Sequence, residues 1–303
     1  MSAGKMHADE LTITIPLVQR LLAAQFPHWA DLPLTAVKSA GTDNAIYRLG
    51  AELVVRLPRI GWAIGQVAKE HKWLPRLAPH LPLAIPQPLA QGEPGAGYPW
   101  RWSIYRWLPG ENVSPEAEID WGDTAVSLAG FVKALQQIDP AGGPLAETHG
   151  LRGLPLLTRD EAVREAIGAL NGRIDTKLAL KAWQASLEAP DWHRLPVWFH
   201  GDLLPGNVLF YQGKAHAVID FGGLGVGDPA CDLMIAWGLF TGQSRTAFRA
   251  ALGVDEATWR RGRGQALAQA LIFLPYYWRT NPTGVQRALW AVQQVLADFQ
   301  VNG

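Results

Sequence analysis

The sequence predicts an α+β protein of two lobes: a small β-rich N-terminal lobe over residues 1–108 and a larger, mainly helical lobe over 109–303. Three observations lead there. Short β-prone runs crowd the first hundred residues, Pro109-Gly110 breaks the last of them, and helical periodicity dominates the remainder except for one strand-rich island from Val197 to Phe221.

The N-terminal elements follow from residue type. Ala45-Ile-Tyr-Arg-Leu and Glu52-Leu-Val-Val-Arg-Leu are rich in β-branched and aromatic side chains, and Gly50-Ala51 between them predicts a hairpin. Helix formers run from Gly65 to Leu77 and stop near Pro79. The stretch Leu81-Pro-Leu-Ala-Ile-Pro-Gln-Pro is extended, because each proline disfavours helix in the residue before it. Tyr98 to Leu108 is again β-prone.

In the second lobe, Leu128, Phe131, Val132, Leu135 and Ile138 lie on one face of a helix, which is therefore a buried face. Pro140-Ala-Gly-Gly-Pro ends it, and further helices are expected at 158–170 and 176–187. Within the island, Val208–Tyr211 and Ala215–Ile219 are strands joined by Gln212-Gly213-Lys214.

Composition removes whole classes of function. With 48% hydrophobic residues the 303-residue chain is globular rather than disordered. Its 27 basic and 27 acidic side chains cancel, so no global field draws nucleic acid or an anionic membrane. A lone cysteine, Cys231, excludes an internal disulfide framework and a thiol-rich metal site, and reads as a buried apolar side chain. The uncharged run from Gly264 to Trp278 is too short for a membrane span, which needs about 20 residues. Without an apolar leader at the N-terminus, the expected location is the cytoplasm. Fourteen tryptophans imply that most are core residues.

Chemistry concentrates in His200-Gly-Asp-Leu-Leu-Pro-Gly-Asn-Val-Leu-Phe and Ala217-Val-Ile-Asp-Phe-Gly-Gly. A hairpin brings its outer ends together, so Asn207, before the first strand, should approach Asp220, after the second. An amide oxygen and a carboxylate so placed suit a hard cation such as Mg²⁺, which takes oxygen ligands and keeps several waters. Asp202, on the same loop, is left to contact a hydroxyl. Taken singly, each motif has an ordinary explanation: a capping Asp, a loop-closing Asn, a turn. His200, Asp228 and Asp232 are read as structural. The sites follow from their joint order and spacing.

That order, His-Gly-Asp, Asn five residues after the Asp, a hairpin and then Ile-Asp-Phe, resembles the phosphotransfer core of the aminoglycoside and macrolide phosphotransferases, which share the bilobal protein-kinase-like fold. The resemblance implies Asp202 as catalytic base, Asn207 and Asp220 as ligands of Mg²⁺, and ATP or GTP as co-substrate. It extends to Ser39-Ala-Gly-Thr-Asp-Asn, where such folds place a loop over the nucleotide, and so to Gly41, Thr42 and Asn44. It places Arg56 where lysine is usual, with Glu70 fourteen residues on as its ion-pair partner. Arginine keeps the charge but grips with a planar fork. Ser103-Ile-Tyr-Arg-Trp-Leu-Pro-Gly falls at the hinge that presents backbone groups to a base, which adds Tyr105 and Trp107. Gly227-Asp-Pro-Ala-Cys-Asp-Leu resembles the segment that braces the catalytic loop.

The implied partners are a nucleoside triphosphate and a small-molecule alcohol, with no nucleic acid and no membrane. A metabolic kinase for choline, homoserine or a sugar would use the same residues. A nucleotide-binding pseudokinase is the reading that Arg56 favours and that Asp202, Asn207 and Asp220 oppose. A protein kinase is opposed by the step of only eight positions from Asp220 to Asp228, too short for a peptide-docking segment. From residue 231 to 303 there are seven arginines, no lysine and four acidic residues. Together with Trp237, Phe240, Phe273, Tyr276, Tyr277 and Trp278, this predicts a neutral or weakly cationic, macrolide-like acceptor rather than a polycation.

Overall fold

The computed structural model describes residues 9–37, 41, 43–113, 118–146 and 151–302. Contacts divide the chain into two compact units, Met1–Pro79 with Ala84–Pro109, and His80–Leu83 with Gly110–Gly303.

The first unit is a five-stranded sheet with two helices. In chain order it contains α1 (Ile15–Gln25), β1 (Leu34–Ala36), β2 (Asn44–Leu49), β3 (Leu53–Pro58), α2 (Ile64–Leu77), β4 (Pro88–Gly92) and β5 (Trp102–Arg106). The sheet order is β1-β2-β3-β5-β4, and every adjacent pair is antiparallel. Alternation along the strands sorts the side chains into two faces. Ala45, Tyr47, Leu49, Val55, Leu57, Trp102 and Ile104 form a core with Val18, Leu21 and Leu22 of α1. Arg56, Ser103 and Tyr105 belong to the opposite alternation, in the register Arg56↔Ser103 and Val54↔Tyr105. Helix α2 supplies Glu70 to that second face.

The second unit holds α3 (Trp121–Gln137), α4 (Asp160–Ala169), α5 (Thr176–Leu187), β6 (Val197–Phe199), β7 (Val208–Tyr211), β8 (Lys214–Val218), β9 (Gly225–Gly227), α6 (Ile235–Gly238), α7 (Gly242–Leu252), α8 (Glu256–Tyr277) and α9 (Pro282–Asn302). Asp120 caps α3 by accepting from the Gly122 and Asp123 amides at 2.9 and 3.0 Å. The expected apolar face of α3 is buried at Leu128, Phe131, Val132 and Leu135. Ile138 departs from it: the helix ends at Gln137 and Ile138 is extended, two residues ahead of Pro140. The run from Gly264 to Trp278 lies in and just after α8, whose residues 264–268 are all buried. Among the described residues no helix is long and apolar enough to cross a membrane. Trp102, Trp183, Trp198 and Trp237 are fully buried, as is Cys231.

Two small sheets position the chemistry. β6 pairs with β9, and β7 pairs with β8 in the register Val208↔Val218 and Tyr211↔Lys214. The β7–β8 connection is thus two residues, with Gln212 at φ 51° and Gly213 at φ 76°. Positive φ at both central positions is the turn that matches strand twist, so β8 starts at Lys214, one residue earlier than the spacing suggested.

Candidate functional site

In the second unit, residues 200–207 form a loop held from beneath by a buried carboxylate. Asp232 lies in a 3₁₀ stretch, Pro229–Met234, and accepts from the backbone amides of His200 at 2.6 Å and Gly201 at 2.8 Å. Burial pushes the Asp232 carboxyl upward, and the hydrogen bonds from these two amides pull it back. Gly201 takes φ 82°, and a Cβ there would meet the Gly223 carbonyl oxygen at 2.2 Å, so only glycine fits.

His200 joins the loop to the hairpin. Its Nδ1 accepts from the Asp202 amide at 3.1 Å, and its Nε2 lies 3.0 Å from the Ile219 carbonyl oxygen, which fixes the neutral Nε2–H tautomer. Burial, above all, lowers its pKa. The sequence motif therefore carries a structural histidine, as expected.

The Asp202 carboxylate is the focus of the loop. Asn207 Nδ2 donates to the Asp202 carbonyl at 2.8 Å and to its Oδ2 at 3.1 Å. Arg152 Nη2 donates to Oδ1 at 3.0 Å, and Gln269 Nε2 makes a longer contact of 3.5 Å to the same oxygen. The outer ends of the hairpin meet as its geometry requires: the Ile219 amide donates to the Asn207 carbonyl at 2.9 Å. Asp220 comes directly after, in the left-handed region at φ 64°, ψ 68°, which aspartate tolerates better than most residues. With the Asn207 nitrogen committed to Asp202, its Oδ1 is the atom left for a cation. The described residues contain no cluster of three or more His, Cys, Asp or Glu side chains able to hold a metal. Asn207 and Asp220 fit the other kind of site, in which phosphate oxygens and water complete the shell of Mg²⁺.

Helix α8 carries a row of polar contacts at four-residue spacing. Arg261 Nε donates to Asp228 Oδ2 at 2.7 Å, Gln265 Oε1 accepts from Arg159 at 3.3 Å, and Gln269 reaches both Arg159 and Asp202. Asp228 in turn caps the 3₁₀ stretch through the Ala230 amide at 2.9 Å.

In the first unit, Arg56 Nη1 donates to Glu70 Oε1 at 2.7 Å, with side chains 13% and 0% exposed. Arg56 Nη2 also reaches Gln66 Oε1 at 3.2 Å. Turned so that its oxygen faces the guanidinium, the Asn44 amide accepts from Arg56 Nη2 at 3.0 Å and Nε at 3.2 Å. The second Glu70 oxygen accepts from the buried Tyr105 hydroxyl. Burial is the first cause that raises the Tyr105 pKa, so it stays a donor. The Tyr105 ring is thus occupied inside the unit. The Trp107 amide donates to the Glu52 carbonyl at 2.6 Å, and the Arg48 guanidinium covers its ring at 4.4 Å. Gly41 is exposed, and Thr42 lies outside the described residues, as do Ser39 and Ala40.

Two findings revise the sequence reading. Arg152 and Gln269 touch Asp202 from 50 and 67 residues away, and nothing local in the sequence marks either. Three of the seven arginines counted after residue 231 are also not surface charges. Arg245 and Arg263 are buried beside Asp298, and Arg261 is buried on Asp228. Such pairs brace helices, so the charge count overstates the charge that can face an acceptor.

A model described as the APH phosphotransferase enzyme family matches residues 36–265. Among solved structures, the GDP complex of an aminoglycoside 2'-phosphotransferase-IIIa mutant superposes with a TM-score of 0.76 at 20% identity, covering 96% of this chain and 100% of that one. An APH(2'') enzyme with GDP and kanamycin gives 0.69 at 19% identity, with 94% and 99% covered. The macrolide 2'-phosphotransferase MphH of Brachybacterium faecium gives 0.61 at 24% identity, with 93% and 98% covered. These likenesses establish a shared kinase-like fold. No curated protein matches the sequence.

Proposed function

The chain belongs to the phosphotransferase enzyme family, and on that premise we propose that it transfers the γ-phosphoryl group of ATP or GTP to a hydroxyl of a small, antibiotic-like alcohol. The observation that carries this reading is the bond from Asn207 Nδ2 to Asp202, at 3.1 Å to the carboxylate. It supports reading Asp202 as the proton acceptor and the Asn207 amide oxygen as the group left for a metal on the same loop.

Phosphoryl transfer asks the protein for positioning and charge neutralisation more than for covalent chemistry. Asp202 orients the acceptor hydroxyl and takes its proton as the oxygen bonds to phosphorus. Mg²⁺, held by Asn207 Oδ1 and Asp220, would neutralise the nucleotide phosphates. Within the first unit, Arg56, held by Glu70, is the proposed cation for nucleotide phosphate, and Gly41, Thr42 and Asn44 are carried over from the family resemblance as nucleotide-binding residues. The hinge segment from Tyr105 to Trp107 is the proposed source of backbone groups for the base. A reaction that draws on nucleoside triphosphate belongs in the cytoplasm.

The aminoglycoside and macrolide phosphotransferases among the structural neighbours support an antibiotic-like acceptor. The test is nucleoside diphosphate release with ATP and with GTP, with and without Mg²⁺, across a panel of cationic, neutral and anionic alcohols. Acceptor-stimulated, Mg²⁺-dependent release that disappears in Asp202→Asn is expected. Failure to bind either nucleotide would overturn the reading.

A further inference from the structure

Three guanidinium groups surround the loop that carries Asp202. Arg152 Nη2 sits 3.0 Å from Asp202 Oδ1, and both side chains are 24% exposed. Its Nη1 lies against the turn after Asp220, where a Cβ on Gly223 would come within 2.9 Å. The guanidinium is therefore wedged between the base and the segment just past the metal ligand.

Arg159 stands behind it, buried, with its two terminal nitrogens on Gln265 and Gln269 at 3.3 Å each. Burial first, and the Arg152 charge second, bring its pKa to about 10, so it remains a cation at neutral pH. Arg287 of α9 meets the other end of the loop, 2.7 Å from where a Gly206 Cβ would stand. It is partly buried, and among the described residues it has no ion-pair partner.

A bare carboxylate that orients a hydroxyl would also attract any ammonium group beside that hydroxyl. Here Asp202 Oδ1 is already neutralised, and two further cations stand close by. Beneath the loop the Asp232 carboxylate is taken up by the His200 and Gly201 amides, and Asp220 is committed to the metal in the proposed reaction. Like charges brought together without screening exclude partners more strongly than neutral contacts do. Resting on the phosphotransferase reading, we propose that Arg152 is a specificity-determining residue of the acceptor site. It neutralises one oxygen of Asp202, so that the site admits alcohols whose reacting hydroxyl lies among neutral groups and rejects those with ammonium groups next to it. Arg159 and Arg287 reinforce the same selection. The neutral acceptor that the charge count suggested thus returns on Arg152 and Arg159, with Arg287 the residue of that count that contributes.

The test uses the full chain with Mg²⁺ and nucleotide, and two acceptors: kanamycin, and kanamycin acetylated on every amine, which keeps the hydroxyls and loses the ammonium charges. Diphosphate release gives kcat/KM, and tryptophan fluorescence gives Kd where turnover is too slow. Wild type should favour the acetylated compound by about tenfold or more, and Arg152→Gln should reduce that ratio to about threefold or less. Nucleotide Kd and Tm should be unchanged in the variant. Equal or inverted preference in wild type, no binding of either compound, or a ratio unchanged in Arg152→Gln overturns the proposal. Should Arg152→Gln not fold, Arg152→Lys retains the charge and should retain the preference; its loss would overturn the charge argument. A chain that binds no nucleotide counts against the phosphotransferase reading. One that binds nucleotide without discriminating charge counts against Arg152 alone.

Discussion

The two units fix their candidate residues by different means. In the first, side chains hold side chains: Arg56 is gripped by Glu70 and Gln66, and Glu70 by Tyr105. In the second, a buried carboxylate holds backbone: Asp232 accepts two amides, and His200 ties the Asp202 amide to the Ile219 carbonyl. A side-chain grip can exchange one cation for another, because arginine and lysine can each donate to a carboxylate such as that of Glu70. A backbone grip fixes the path of the chain, so its members are not exchangeable.

The largest effect should come at the group that the backbone grip exists to place. Asp202→Asn keeps the shape and removes the charge, and kcat should fall by about 10²- to 10⁴-fold, with nucleotide Kd changed by less than about tenfold. A single-turnover rate near wild type would remove Asp202 from the mechanism.

Asp232→Ala probes the grip itself. It strands two buried amides, each costing about 1–3 kcal/mol, so Tm should drop steeply and activity should vanish with the loop. A variant that melts like wild type yet is inactive would show that Asp232 acts on chemistry rather than on chain path.

Tyr105→Phe addresses the first unit. It removes one bond to Glu70 and leaves the Arg56 pair, so nucleotide Kd should rise by only about two- to tenfold, the worth of a net hydrogen bond of about 0.5–1.5 kcal/mol. Isothermal titration measures it. A hundredfold loss would erase the contrast between the units.

The smallest effect concerns pH. His200 is buried as the neutral ring, with its pKa lowered by burial, and protonation would turn Nδ1 into a donor facing the Asp202 amide. The unfolded chain takes up this proton first, so stability is fully present above the unfolded value of about 6.5 and declines as pH falls below it. Thermal melts from pH 7.5 to 5.5 should show that decline, and it should be absent in a folded His200→Asn variant.

The reach of each interaction decides whether the sequence discloses it. The β7–β8 hairpin, the buried face of α3 and the spacing of Asp202, Asn207 and Asp220 are local, so residue order displays them. The tyrosine hydroxyl on Glu70 crosses 35 positions, and Arg152 reaches Asp202 across 50, so only the folded chain shows either. The arginine surplus is hard to read from sequence for a related reason. A count of charges cannot see that Arg245, Arg261 and Arg263 spend theirs on buried aspartates.

The polar row on α8 sets limits on how the length of this protein can vary. Arg261, Gln265 and Gln269 reach Asp228, Arg159 and Asp202 in turn from one side of a continuous helix. Inserting or deleting a single residue within that span rotates everything beyond it by about 100° and shifts it by about 1.5 Å. Gln269 would then turn away from Asp202 while Arg261 stayed on Asp228. Drift in chain length among descendants of this sequence should therefore avoid α8. It should gather instead in connections such as residues 188–196, which lack regular structure after the end of α5 and where Leu195 is 83% exposed.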